Sequence, residues 1–289
     1  MSADNRLLGI SDEAGQSLAT QIACHKELGW TQMELRSIDA KPLAVISPSE
    51  RDEICKRIIQ AGLSVPAIGS QIGNWQSTIG AAPDADVIEL EALAAWAAPL
   101  GTKMLRVMSY RNDGRSDGAW RDAVVARLKA LSRRAAEHGL MLAHENCAGW
   151  GGQSADTQFE LLERVAEDNF QLLFDVGNGL SYGYTALEML RKNAQYVVHV
   201  HLKDGVKSPD SDAVHYTLPG AGEADLAQCI CELLAGGYDG LFSIEPHLNL
   251  IPHMKSQVGD EAQMKRNYIA YGQQAAAILK QCQELDHAV

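Results

Sequence analysis

The six cysteines include no CxxC pair, no apolar run approaches the roughly 20 residues that cross a bilayer, and positive charge is nowhere massed. Each absence excludes something. Without paired cysteines there is neither zinc-ribbon spacing nor a disulfide framework; the nearest two, Cys229 and Cys231, fall in an apolar helical pattern, and buried reduced thiols are expected for most of the six. Without a long apolar run no transmembrane helix is expected. The opening MSADNRLLGIS also lacks an apolar core with a cleavage site, so the expected compartment is the cytoplasm. A formal net charge of −12 repels polyanions and argues against nucleic acid as a partner. No Pro-, Ser- or Gly-rich linker splits the chain, and the first turn after a strand, SDEAGQS, is acidic with one glycine, which offers no dinucleotide fingerprint.

What is present is a repeated unit. LLGIS (7–11) is followed by an amphipathic stretch that stops at Gly29; QMELR (32–36) is followed by a helix that Ser47 or Ser49 can cap and Gly62 ends. The pattern continues through SVPAIGS (64–70), MLRVMSY (104–110), LMLAHEN (140–146), QLLFDVGN (171–178), YVVHVHLKD (196–204) and LFSIEPH (241–247), each leading to a helical stretch, the last running from about Asp260 to Leu285. Alternating strand and helix predicts a parallel sheet, and eight such units predict closure into a (β/α)8 TIM barrel. At 289 residues the chain is close to the size of one such barrel, about 250 residues, so a single α/β barrel domain over 1–289 is expected.

In YVVHVHLKD, His199 and His201 share a face because side chains alternate along a strand, and a buried parallel strand is otherwise continuously apolar. Three neighbouring strands end in a carboxylate at the equivalent place: Glu145, Asp175 and Glu245. In a barrel these ends converge on one mouth. Three carboxylates crowded there repel one another, and a divalent cation removes that cost. Three oxygens, one imidazole and no thiolate suit Mn²⁺ first, with Mg²⁺, Co²⁺ or Zn²⁺ as alternatives. The blander account, four unrelated groups closing strands, is weaker for four in register than for any one alone. Lys203 shares the parity of His201 and can approach a ligand; Lys207 and His215 are expected in a solvated loop. Trp75, Tyr110 and Trp150 are loop anchors or sugar-packing rings, and Arg106 either pairs with Glu34 or contacts a ligand. Tyr268 and Tyr271 on the last helix face the barrel or a partner chain.

The ordered set MELR (33–36), HEN (144–146), DVGN (175–178), HVHLKD (199–204), PGAGEAD (219–225) and SIEPH (243–247) resembles the sugar isomerase/epimerase branch of the xylose-isomerase-like barrels. The resemblance implies metal ligation by Glu145, Asp175, His201 and Glu245. It also implies that Glu34 and Arg36 lie near the site, holding substrate hydroxyls, with Asn178 and Lys203 as further substrate-binding groups. Many relatives carry histidine where this chain has Asn178 and Cys147; asparagine can hydrogen-bond a hydroxyl but cannot shuttle a proton. The implied activity is a metal-dependent isomerase or epimerase that moves a proton next to a ketose carbonyl through an enediolate, with Glu145 and Glu245 as acid and base. A lyase, dehydratase or keto-glycoside-cleaving enzyme on the same ligands is the main competitor, because the same proton leaves first. A catalytically silent sugar-binding subunit and a multi-zinc phosphodiesterase acting on damaged DNA are weaker ones. The expected partner is a small sugar or sugar derivative, without membrane or nucleic acid, and a homo-oligomer is the default assembly.

Overall fold

The computed structural model describes residues 6–211, 213–251, 256–257 and 260–286; the first five residues of the amino-terminal stretch lie outside them. Strand β1 (Leu7–Gly9) passes through a 3-10 turn, Ser11–Glu13, into α1 (Leu18–Glu27), where the Ser17 side chain caps the amide of Thr20. A small hairpin, β2 (Ser37–Ile38) and β3 (Lys41–Pro42), precedes α2 (Pro48–Gln60). Ser47 is the capping serine of that helix, accepting from Glu50 N, and Pro48 sits in the first turn, where no amide partner is lost. Strand β4 (Ala67–Gly69), α3 (Pro83–Leu100), β5 (Met104–Ser109), α4 (Asp117–Glu137), β6 (Met141–Gly149), α5 (Ala155–Val165) and β7 (Phe170–Asp175) continue the alternation. Two short helices, α6 (Gly179–Tyr182) and α7 (Ala186–Asn193), lead to β8 (Val197–Leu202). The long loop after it carries a hairpin of its own, β9 (Gly205–Lys207) and β10 (Val214–Tyr216). Helix α8 (Leu226–Ala235), β11 (Leu241–Ile244), the hairpin β12 (Leu250–Ile251) with β13 (Ser256–Gln257), and α9 (Glu261–Asp286) complete the chain.

Among the described residues seven strands pair side by side in the order β1-β11-β8-β7-β6-β5-β4. The eighth, expected at 32–36, is reduced to single bridges: Ile10 with Glu34 on one side, Gln32 with Ser64 and Leu35 with Ile68 on the other. Hydrogen bonds from Glu34 N to Gly9 O (3.0 Å) and from Gly69 N to Leu35 O (2.8 Å) close the barrel there. Period-two alternation then sorts the side chains. Leu172, Phe174, Val200, Leu202, Phe242 and Ile244 are buried outward beneath the helices, while His199, His201, Asp175 and Glu245 are buried inward.

The terminal helix packs on the barrel. Tyr268 and Tyr271 are buried, with Tyr271 Oη donating to Leu202 O (3.1 Å) and Tyr268 Oη 3.1 Å from His25 Nε2. The cysteines depart from expectation in one pair: Cys231 of α8 is bonded to Cys282 of α9, with Cα atoms 4.9 Å apart. Side-by-side packing of these two helices brings together thiols 51 residues apart, which local spacing could not reveal. Cys24, Cys55, Cys147 and Cys229 are buried free thiols. Among the described residues no helix is long and apolar enough to cross a membrane.

At Gly9 the barrel and α9 approach closely. A Cβ there would lie 2.1 Å from Tyr268 Oη and 2.6 Å from Ile244 Cγ1. Gly9→Ala is therefore expected to displace Tyr268 and lower stability by about 1–3 kcal/mol, read as a lower urea midpoint; an unchanged midpoint would contradict the packing.

Candidate metal centre

The mouth of the barrel is crowded with negative charge. Asp12, Glu13, Glu34, Glu145, Asp175 and Glu245 are all buried, and the side chains of fixed positive charge among them are Arg36, Arg106 and Lys203. Glu145, Asp175, His201 and Glu245, from β6, β7, β8 and the residue following β11, offer ligand atoms that all lie within 4.8 Å of one another. The four residues singled out at the strand ends are thus brought together.

Each is aimed by a neighbour. Glu34 takes His199 Nε2 at 2.9 Å and His201 Nε2 at 3.1 Å, so the Nδ1 atom of His201 is turned toward Asp175 Oδ2 (4.0 Å) and Glu245 Oε2 (3.6 Å). A carboxylate on the far nitrogen of an imidazole fixes its tautomer and leaves a lone pair for a cation. Burial alone would raise the Glu34 carboxyl, but the two imidazoles outweigh it and hold it well below the usual range. Glu34 is fully buried and outside the cavity wall. The expectation that it holds substrate hydroxyls is corrected: both its oxygens are occupied by imidazoles and it supports His201 from beneath. Arg106 pairs not with Glu34 but with Glu145, Nη1 to Oε2 at 2.8 Å, and Asn178 Nδ2 donates to the other oxygen at 2.8 Å.

Asp175 is positioned through its main chain. Asn146 Oδ1 accepts from Asp175 N (2.6 Å) and its Nδ2 donates to Asp175 O (2.9 Å), clamping β6 to β7, while Asp175 Oδ1 accepts from Asn178 N (2.8 Å). Gly177 leaves room for Lys203, since a Cβ would sit 2.7 Å from Lys203 Cγ. Lys203 Nζ lies 2.7 Å from Asp175 Oδ2 and 2.7 Å from Glu245 Oε2. Asp204 gathers four amides, those of Gly205, Gly220, Gly222 and Ala224, and so folds the PGAGEA loop beneath the lysine. Arg36 lies at the site as expected, but its fork is committed to Asp12 (2.9 and 3.1 Å), Glu13 (3.2 Å) and Glu245 (3.0 Å).

The donor set fits a divalent cation. His201 Nδ1 and Asp175 Oδ2 are buried without a hydrogen-bond partner; the lysine beside Asp175 Oδ2 makes a charge contact without hydrogen-bond direction. Buried polar atoms left without a partner are costly unless something absent from the protein chain satisfies them. Three carboxylates and one imidazole suit the cations preferred by oxygen-rich sites.

Above this cluster opens a cavity of about 530 Å³. Glu145, Glu245, Asn178, Lys203, Arg36 and Arg106 reach its wall. Cys147 also reaches it, and burial pushes its thiol up to about 12, so it is neutral. Trp75 lines the cavity, whereas Tyr110 and Trp150 are buried away from it; Lys207 and His215 are exposed on the β9–β10 hairpin. Sequence reasoning gave no role to Asp12, Glu13, His247, Tyr182 or Tyr216. His247 was legible only as the last residue of SIEPH; it adopts a left-handed φ of 52° and meets Glu13 through N (2.6 Å) and Nδ1 (2.9 Å).

The chain matches the family model described as xylose isomerase-like TIM barrel over residues 23–268. Among curated proteins it is 29% identical over 138 residues to an inosose dehydratase of Geobacillus thermodenitrificans, covering 43% of this chain and 46% of that one. It is 25% identical over 228 residues to an inosose dehydratase of Salmonella agona, covering 68% and 73%. The chain thus spans about half the length of the first of these relatives. Among solved structures, the IOLI protein with a binding zinc atom aligns with a TM-score of 0.74 at 15% identity, covering 96% and 98% of the two chains. The 3-keto-D-glucoside 4-epimerase YcjR of E. coli aligns at 0.66 and 18% identity, covering 92% and 98%. At these identities the structural likeness speaks of the fold.

Protons compete for the same atoms. Burial would depress His201, but the charges of Glu34 and Glu245 outweigh it and hold the imidazole up at about 10. Burial and the neighbouring Glu245 and Glu145 raise Asp175 despite Lys203. Both must be deprotonated to ligate, so loading with Mn²⁺ near neutral pH should release protons and apparent affinity should rise with pH. Titration calorimetry in buffers of different ionisation enthalpy measures this; buffer-independent heats and a pH-flat affinity would remove these two residues from the ligand set.

Proposed function

We propose that this chain, which belongs to the xylose isomerase-like TIM barrel family, is a divalent-metal-dependent lyase that removes the proton beside the ketone of a polyol and expels the neighbouring hydroxyl as water. Glu145, Asp175, His201 and Glu245 would hold the cation. When bound, it supplies Lewis-acid stabilisation of the negative charge that develops on the carbonyl oxygen.

The observation that carries the reading is the 2.7 Å contact between Lys203 Nζ and Glu245 Oε2 at the cavity wall. It sets a proton acceptor and a proton donor side by side on one wall. Glu245 takes the proton as the C–H bond breaks and a C=C bond forms; Lys203 gives a proton to the departing hydroxyl, which leaves as water. The proton on Glu245 then returns to Lys203 across the same contact. Burial would lower the Lys203 ammonium, but Asp175 and Glu245 raise it well above its ordinary value, which keeps it a loaded acid. Glu145, with one oxygen on Arg106 and the other on Asn178, serves as a fixed anionic ligand. The dehydratase names of the curated relatives support elimination.

A second reading, epimerisation or isomerisation, is favoured by the approach of Glu145 and Glu245 from different strands, which places carboxylates on two sides of the cluster. In that case Glu145 returns the proton to the opposite face and no bond to oxygen breaks.

Incubation of Mn²⁺-loaded protein with cyclic and open-chain polyol ketones in D₂O, followed by ultraviolet absorbance and NMR, separates the two. An unsaturated ketone is expected, and Lys203→Met should slow its appearance about 10²–10⁴-fold while hydrogen exchange beside the carbonyl persists. Exchange that yields only an epimer or aldose would overturn elimination in favour of the second reading.

A further inference from the structure

The candidate cation ligands are concentrated on one side of the mouth. Glu145, Asp175, His201 and Glu245 stand at the ends of four consecutive barrel positions, β6, β7, β8 and β11. The same cavity extends across to the loops that follow residues 32–35 and β4, the opposite side of the ring. There its wall includes Pro42 at the end of β3, Leu43 and Ala44 from the 3-10 turn after it, Leu93 from α3, and Trp75, with the polar Ser37, Gln71, Asn74 and Gln76 at their margins. Trp75 packs on Met108, Cys147 and Ala148, a small apolar cluster separate from the main core. Glu89 is the carboxylate on that side, and its Oε1 is already taken by Gln71 N at 2.6 Å.

A polyol ring carries hydroxyls around its whole edge. Pressing them against leucine and indole would leave them buried and unpaired, at a cost of about 1–3 kcal/mol each. A cavity of about 530 Å³ also lies in the range that encloses drug-sized ligands, larger than one sugar ring requires. The charged end and the apolar end therefore ask for two different parts of one molecule.

We propose that the substrate is a polyol ketone bearing an uncharged apolar substituent of ring size, seated between Leu43, Leu93 and Trp75. This deepens the functional reading above and rests on it for the ketone-handling end. The substituent is held by burial of apolar area and by the indole face, while the polyol is held by Lys203, Asn178 and the carboxylate cluster.

Binding, measured apart from turnover, tests this. Titration calorimetry of the Mn²⁺-loaded protein compares phenyl β-D-glucopyranoside with methyl β-D-glucopyranoside; the phenyl glycoside is expected to bind about tenfold tighter or more. Leu93→Gln should remove that gain and leave the methyl affinity unchanged. Because Leu93 also belongs to the core, Trp75→Gln, at a half-buried position on the cavity wall, is the second variant and should act in the same direction. Equal affinity for the two glycosides, or no binding of either, overturns the proposal. A phenyl preference in a protein that forms no unsaturated ketone would overturn the lyase reading alone, and enone formation without that preference would overturn the subsite alone.

Discussion

The constraint on which the rest of the mouth depends is electrostatic: six carboxylates are held in a space that water scarcely enters. Unpaired burial of a single charge is expensive enough to shift its protonation, and six could not coexist without organised compensation. Arg36 answers for Asp12, Glu13 and part of Glu245; Arg106 answers for Glu145; Lys203 spans Asp175 and Glu245; His199 and His201 answer for Glu34. Two atoms of the cluster, His201 Nδ1 and Asp175 Oδ2, are left without a hydrogen-bond partner, the second with Lys203 Nζ beside it at 2.7 Å. The cation-binding character of the site is thus the remainder of a balance distributed over several strands.

Much of the surrounding sequence serves to hold that balance in place. Asn146 has no contact with the cation-facing atoms, yet it clamps the backbone of Asp175 through both its oxygen and its nitrogen. Asp204, one residue beyond Lys203, folds the following glycine-rich loop onto itself, and a Cβ at Gly222 would lie 2.1 Å from Asp204 Oδ1. Such main-chain anchoring keeps a charged side chain in one geometry without drawing on its own donors. Gly177 and Gly222 occur where the side chains of Lys203 and Asp204 pass close to the main chain.

The two sides of the mouth differ in origin. The side with the carboxylate cluster is built from strand ends, whose side-chain directions are fixed by the ladder. The side with Leu43, Leu93 and Trp75 is built from a hairpin, a 3-10 turn and the middle of a helix. Loops and helix faces can vary without disturbing the barrel, and specificity in this architecture is accordingly placed on them.

The sequence by itself determined the alternation of strands and helices, the eightfold count, and the strand-end positions of Glu145, Asp175, His201 and Glu245, because period-two and period-3.6 patterns are local and survive in one dimension. Only the tertiary structure decided who faces whom. That Glu34 lies under two histidines instead of in the cavity, that Arg106 pairs with Glu145, and that Lys203 bridges Asp175 and Glu245 depend on how far each strand extends and on the register across the closed ring. The same holds for the bond between Cys231 and Cys282, which exists because α8 packs against α9. Local spacing carries none of this, since partners such as Arg106 and Glu145, 39 residues apart, or Glu34 and His199, 165 apart, meet only when the strands pair and the barrel closes.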